Sequence, residues 1–184
     1  MARVLYLDAA GLPQRWISRE DAAIHYAKDN VLWALGDCRD LRGGWKRNGE
    51  RSCLSIAPVI AGREASKAPP KQVALTNANL FARDRFHCLY CGQVFATAQL
   101  TRDHIVPRAQ GGRDRWENVA AACRGCNQVK AARTPEQAGM PLLMVPFRPN
   151  VYEGLILQNR RILVDQWDYL ARGLSDHRQW ERAC

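Results

Sequence analysis

Two Cys-x-x-Cys pairs, Cys88 with Cys91 and Cys123 with Cys126, constrain this chain more than any other feature. Each pair spaces two thiolates to grip one ion, and together they complete the tetrahedral four-sulfur shell typical of structural zinc. A closed shell has no open position, so such a zinc holds the fold together and takes no part in chemistry. The competing reading, a pair of redox dithiols, lacks any thioredoxin-like context around the cysteines. Cys38, Cys53 and Cys184 have no paired spacing and are expected as free thiols.

Bulk properties narrow the class further. At 184 residues the chain makes one ordinary domain or two small ones. No apolar run approaches the roughly 18 to 20 residues that span a bilayer, and Met1 to Ala10 lacks the long apolar stretch of a signal peptide. The expectation is a cytoplasmic, intracellular protein, with no membrane partner, in a compartment that keeps thiols reduced. The formal net charge is +9, carried by twenty-two arginines against five lysines. That field attracts polyanions, and arginine forks onto phosphate in a way lysine does not, so nucleic acid is the expected partner.

Along the chain, Ala57 to Lys71 is rich in alanine, proline and basic residues and reads as a linker. It divides the sequence into an N-terminal accessory region with linker (1–71), a central module (72–147) and a C-terminal helical extension (148–184). In the first, Arg3 to Leu7 and Val31 to Leu35 are expected as strands. Ser18 caps a helix over Arg19 to Lys28, with Glu20 and Asp21 suiting its first turn. The result is a small mixed sheet with one helix.

The central module begins with a short helix, Ala78 to Asp84. Strands follow around Leu100 to Ile105 and Val119 to Ala121, then a helix from Cys123 to Arg133. Thr134-Pro135-Glu136-Gln137 carries a capping box with proline at the first helical position, closed by Gly139. Beyond Pro149, Tyr152, Leu155, Ile156, Ile162, Leu163, Trp167 and Leu170 recur at helical spacing and predict a C-terminal amphipathic helix. The fold class is therefore α+β.

Between and beyond the cysteine pairs lie Leu100-Thr101-Arg102-Asp103-His104-Ile105-Val106-Pro107-Arg108, Gly111-Gly112, Trp116-Glu117-Asn118 and Cys123-Arg124-Gly125-Cys126-Asn127-Gln128-Val129-Lys130. From about residue 77 to 143 this pattern resembles the HNH, or ββα-metal, nuclease family. The flanking regions are similar to those of bacterial stand-alone members with a four-cysteine zinc site. The resemblance implies a DNA endonuclease in which His104 is the first histidine of the motif and Asn118 its central asparagine. Asn127 stands where the family name has its final histidine. Asparagine still offers a carbonyl oxygen there, and an oxygen-rich site leans toward magnesium or manganese.

The chemistry fits those residue types. A neutral imidazole at His104 can take a proton from water as it attacks phosphorus, while Asp103 and Asn127 hold a divalent ion. Asn118, by the resemblance, fixes the loop after His104 through its amide. Lys130, one helical turn past Asn127, is expected to meet a phosphate oxygen, with Arg102, Arg108 and Arg133 as further nucleic-acid contacts. Since neighbours on a strand face opposite ways, the first strand is expected to bend or end near His104. His25, His87 and His177 read as structural or exposed, and Trp116 and Trp167 as core.

The alternative is a zinc-containing nucleic-acid-binding protein without catalysis. A monomer with one active site nicks, whereas double-strand cleavage needs a homodimer or two events.

Overall fold

A computed structural model describes residues 3–63, 72–159 and 161–175. In chain order come β1 (Val4–Leu7), β2 (Pro13–Ile17), α1 (Arg19–Ala27), β3 (Val31–Leu35), β4 (Arg39–Trp45), β5 (Arg51–Ile56) and β6 (Val59–Gly62). Next are α2 (Asn77–Arg83), β7 (Leu100–His104), β8 (Val119–Cys123), α3 (Arg124–Lys130) and α4 (Pro135–Ala138). Helices α5 (Val151–Gln158) and α6 (Val164–Ala171) complete the described elements. They form two units, one of residues 1–72 with 150–184 and the other of residues 73–149.

The first unit is built on a mixed four-stranded sheet in the order β2-β1-β6-β3, with β1 parallel to β6 and the other pairs antiparallel. Side chains alternate across a strand, so Val4, Tyr6 and Ile60 face one side and Leu5, Leu7, Val59 and Ala61 the other. Against the first face packs α1 through Ala22, with Leu41 and Leu54 of the antiparallel β4–β5 ribbon beside it. Ser18 caps α1 in a capping box with Asp21. Against the second face pack Leu155, Ile156 and Leu170.

Two expectations change here. The predicted linker begins too early, because Val59–Gly62 is a fully buried central strand. Its short apolar run has no alternation, since both faces are covered, and it lies between Pro58 and a basic stretch that masks it. The remainder of that linker, residues 64–71, lies outside the described residues, as do His177 and Cys184. The C-terminal apolar pattern is carried by two short helices: Asn150 caps α5, which ends at Gln158, and α6 begins at Val164. Buried Gln166 anchors α6 by donating to the carbonyls of Arg3 and Pro58, at 2.7 and 2.8 Å.

In the second unit, β7 and β8 form an antiparallel pair in which Arg102 faces Ala121, Asp103 faces Ala120 and His104 faces Val119. Helix α2 lies against this pair through Leu80 and Phe81, which share a core with Leu100, Trp116, Val119 and Ala121. Trp116 is thus core, and its indole N–H donates to the Val73 carbonyl. The end of α2 carries a charge pair with both side chains wholly buried, Arg83 and Asp84, joined at 2.7 Å. The guanidinium also donates to the carbonyls of Trp116, Phe147 and Val119, at 2.7, 2.9 and 2.7 Å. Asp84 in turn accepts the backbone N–H of Ala121 at 2.7 Å.

Removing one member of a buried, fully hydrogen-bonded pair leaves an uncompensated charge. Arg83→Ala is therefore expected to cost about 3 to 5 kcal/mol of stability. Arg108→Ala, at an exposed position, should stay within about 0.5 kcal/mol of the parent. Denaturant unfolding of both variants checks this, and equal midpoints for the two would remove Arg83 from its structural role.

Candidate active site and metal centre

The metal centre is assembled from two local structures. Residues 88–91 form a tight turn in which the Gly92 N–H donates to the Cys88 carbonyl at 2.8 Å. On the other side, Cys123 is the N-cap of α3 and its sulfur accepts the Cys126 N–H at 3.4 Å. The four sulfurs all lie within 4.8 Å of one another. Zinc–sulfur bonds of about 2.3 Å give tetrahedral edges of about 3.8 Å, so the cluster needs little contraction to hold one ion. Burial pushes the Cys126 thiol upward, and the neighbouring Cys123 and Cys88 sulfurs add to this. Four thiolates this close repel one another without a cation among them. The donor set therefore fits zinc.

Strand β7 divides the remaining polar residues by its pleat. Thr101 and Asp103 face α3, whereas Arg102 and His104 face the loop that carries Asp114. On the α3 side, Asn127 donates its amide to Thr101 Oγ1 at 3.0 Å, leaving Oδ1 without a hydrogen bond among the described residues. Asp103 is buried. Its carboxylate accepts from the Tyr90 hydroxyl at 2.5 Å and from the Lys130 ammonium at 3.1 Å. Burial, and then the bond to Asp103, push the Tyr90 hydroxyl well above the usual phenol range, so it stays a donor.

Lys130 departs from its expected role. It is wholly buried, and its ammonium is shared between Asp103 and the His104 carbonyl, the latter at 2.8 Å. The helix that carries it is shorter than the predicted span to Arg133, because Ala131 takes a positive φ of 51° and ends it. Arg133 then donates to the carbonyls of Val129 and Lys130 at the helix end. Arg102 is likewise turned inward, donating to both oxygens of Asp114 at 2.9 and 2.7 Å, to Asn77 and to the Leu75 carbonyl. Arg108 remains exposed.

Strand β7 ends at His104, and the ring Nε2 lies 3.2 Å from Asp114 Oδ1. The following loop is closed by Asn118. Its Oδ1 accepts from the Val106 N–H at 2.9 Å, and its amide donates to the carbonyls of Val106 and Arg113 at 3.1 and 2.9 Å. Gly112 sits where a Cβ would lie 1.7 Å from the Val106 carbonyl oxygen and 3.0 Å from the Asn118 amide, so only glycine fits this closure. His25 and His87 take local partners, Asn30 and the Arg85 carbonyl.

Sequence reasoning did not find Asp114, Tyr90 or the Arg83–Asp84 pair. Asp114 carried a weak signal, since it lies between the glycine pair and Asn118. Tyr90 is hidden inside a cysteine pair whose metal spacing dominates the reading.

Comparison with known proteins finds likenesses to this part of the chain. Residues 88–143 match the model of a family described as HNH endonuclease. Over 116 residues, 62% of this chain, the sequence is 30% identical to a protein of Corynebacterium diphtheriae described as CRISPR-associated endonuclease Cas9. The chain spans only 10% of that relative's length. A Type II-C Cas9 crystal structure from Actinomyces naeslundii aligns with 55% of this chain and 11% of its own, at 23% identity and a TM-score of 0.31. The match covers both cysteine pairs, β7, the Asn118 loop and α3, so it is this module, residues 88–143, that is similar to the HNH endonuclease family.

Proposed function

We propose that this protein is a metal-dependent DNA endonuclease that hydrolyses phosphodiester bonds, with His104 as general base. The observation that carries the reading is the division at the end of β7: His104 at the open strand end, Asp103 and Asn127 on the α3 side. The net charge of +9, mostly from arginine, supplies the attraction for a polyanion. No helix among the described residues is long and apolar enough to cross a membrane. The clustered thiols suit a reducing cytoplasm.

In this reading the zinc on Cys88, Cys91, Cys123 and Cys126 is structural, fixing the start of α3 and so the place of Asn127. Asp103 and the Oδ1 of Asn127, which has no hydrogen bond among the described residues, would hold magnesium or manganese, and the ion would supply neutralisation of negative charge on the phosphate. His104 takes the proton from the attacking water. Asn118 and Gly112 keep the loop beside it closed. Lys130 holds Asp103 and the His104 carbonyl in one frame from beneath. One centre per chain cuts one strand; a double-strand break requires a second copy or a second event.

One feature favours the non-catalytic alternative, namely that the Asp103 carboxylate already carries an ammonium partner with which an ion must compete. Cleavage decides between the two readings. Purified protein should nick or cut DNA when magnesium or manganese is supplied. His104→Ala should lower the rate by about 10²- to 10⁴-fold with zinc content and thermal stability kept. Unchanged cleavage by that variant overturns the assignment of the base.

The cysteine centre makes a separate prediction. Cys123→Ser, or chelation of the wild type, should release one zinc per chain and unfold the module, because metal-binding energy is folding energy in such a site. Zinc analysis combined with circular dichroism reads both effects, and a folded, zinc-free module would refute the structural role.

A further inference from the structure

We infer that Asp114 is the positioning residue of the catalytic base, holding the His104 ring by Nε2–H so that Nδ1 is the atom that accepts the proton from water. The inference rests on the nuclease reading above and adds to it which ring nitrogen works and what fixes it.

The geometry begins on β7, where Arg102 and His104 are two residues apart and so share a face. Asp114 lies opposite both. Its Oδ1 is 3.2 Å from His104 Nε2, and the two carboxylate oxygens take 2.9 and 2.7 Å bonds from one Arg102 nitrogen. Arg102 is itself fixed by Asn77 Oδ1 at 3.0 Å, at the start of α2, and by the Leu75 carbonyl at 3.2 Å. An unbroken run of polar contacts thus ties the ring to the first turn of a helix that packs into the core. The Arg102 guanidinium holds the Asp114 carboxyl below the usual carboxylate range, with the charge and hydrogen bond of His104 acting in the same direction.

A carboxylate has only acceptor atoms, so the ring nitrogen facing it must carry the proton. In the neutral ring, the form that can act as a base, the lone pair is then confined to Nδ1. That nitrogen makes no hydrogen bond among the described residues. Positioning of this kind is worth a large factor in rate, because displacement of a reacting group by about 1 Å can cost about 10²-fold. A carboxylate that only stapled the loop would need Arg102 but not the imidazole.

The test uses the full chain, a duplex oligonucleotide and magnesium under single-turnover conditions. Asp114→Ala should slow cleavage at saturating DNA by about 10- to 100-fold, with DNA affinity, zinc content and melting temperature close to wild type. Asp114→Asn, whose amide oxygen can still accept one ring N–H, should fall between them. Should Asp114→Ala unfold, the intermediate rate of the asparagine variant decides. Proton NMR of the metal-loaded protein supplies a readout independent of cleavage: a slowly exchanging ring N–H of His104, assigned by its loss in His104→Ala and absent from Asp114→Ala. Wild-type rates in both Asp114 variants, or a wild-type spectrum lacking that proton, overturn the inference. Wild-type protein that cuts no DNA overturns the nuclease reading instead, and the ring proton still reports whether Asp114 holds His104.

Discussion

A buried guanidinium that has found a partner for every bond it makes sets the order of the second unit. Arg83 leaves the end of α2 and reaches Asp84, Trp116, Val119 and Phe147, four positions from three separate stretches of chain. Burying such a charge is unfavourable unless the surrounding carbonyls and a carboxylate replace its water, and here they do. The same constraint then propagates. Asp84 takes the Ala121 N–H, which fixes β8 against α2 and, through the β7–β8 ladder, fixes where Asp103 and His104 stand.

From that ladder the division of chemistry follows by pleat alone. Ala120, Ala121 and Ala122 are all buried, and their small side chains let elements close on both faces of β8. Opposite them, β7 sends Asp103 toward α3 and His104 toward Asp114. A strand that continued past His104 would keep the two residues on opposite faces of a sheet. By ending there, it leaves His104 at an edge, where the loop clamped by Asn118 takes over the direction of the chain. The cysteine cluster acts at the other end of α3, so the helix bearing Asn127 is tied at its N-terminus by thiolates and near its C-terminus by the Lys130 bonds to Asp103 and the His104 carbonyl.

Much of this was legible in the sequence because it is local. Cysteine spacing, the helix caps at Ser18 and Thr134, and the short apolar runs of β1 and β3 depend on residues a few positions apart. The Asp103-His104 pair and Asn118 were legible as a pattern of types. What escaped was the long-range pairing of charge. Arg102 reads as a nucleic-acid contact and Arg83 simply as part of a short helix, since nothing nearby in sequence announces Asp114 or the carbonyls of Val119 and Phe147. Strand β6 escaped for a local reason, because its four-residue apolar run joins Pro58 to the alanine-, proline- and base-rich stretch after it and so reads as part of that linker.

The position of Lys130 shows how the same residues serve fold and chemistry. An ammonium 3.1 Å from Asp103 stabilises the carboxylate inside the module, where an unpaired charge would be costly. In the proposed reaction a divalent ion binds at the same carboxylate, and its attraction is offset by the resident positive charge. That offset weakens ion binding in the free protein. It also leaves the centre with excess positive charge once the ion is present, a surplus that an incoming phosphate neutralises. In that proposed reaction ion and DNA would bind more tightly together than either would alone, which would confine the charged, reactive arrangement to the complex in which it is used.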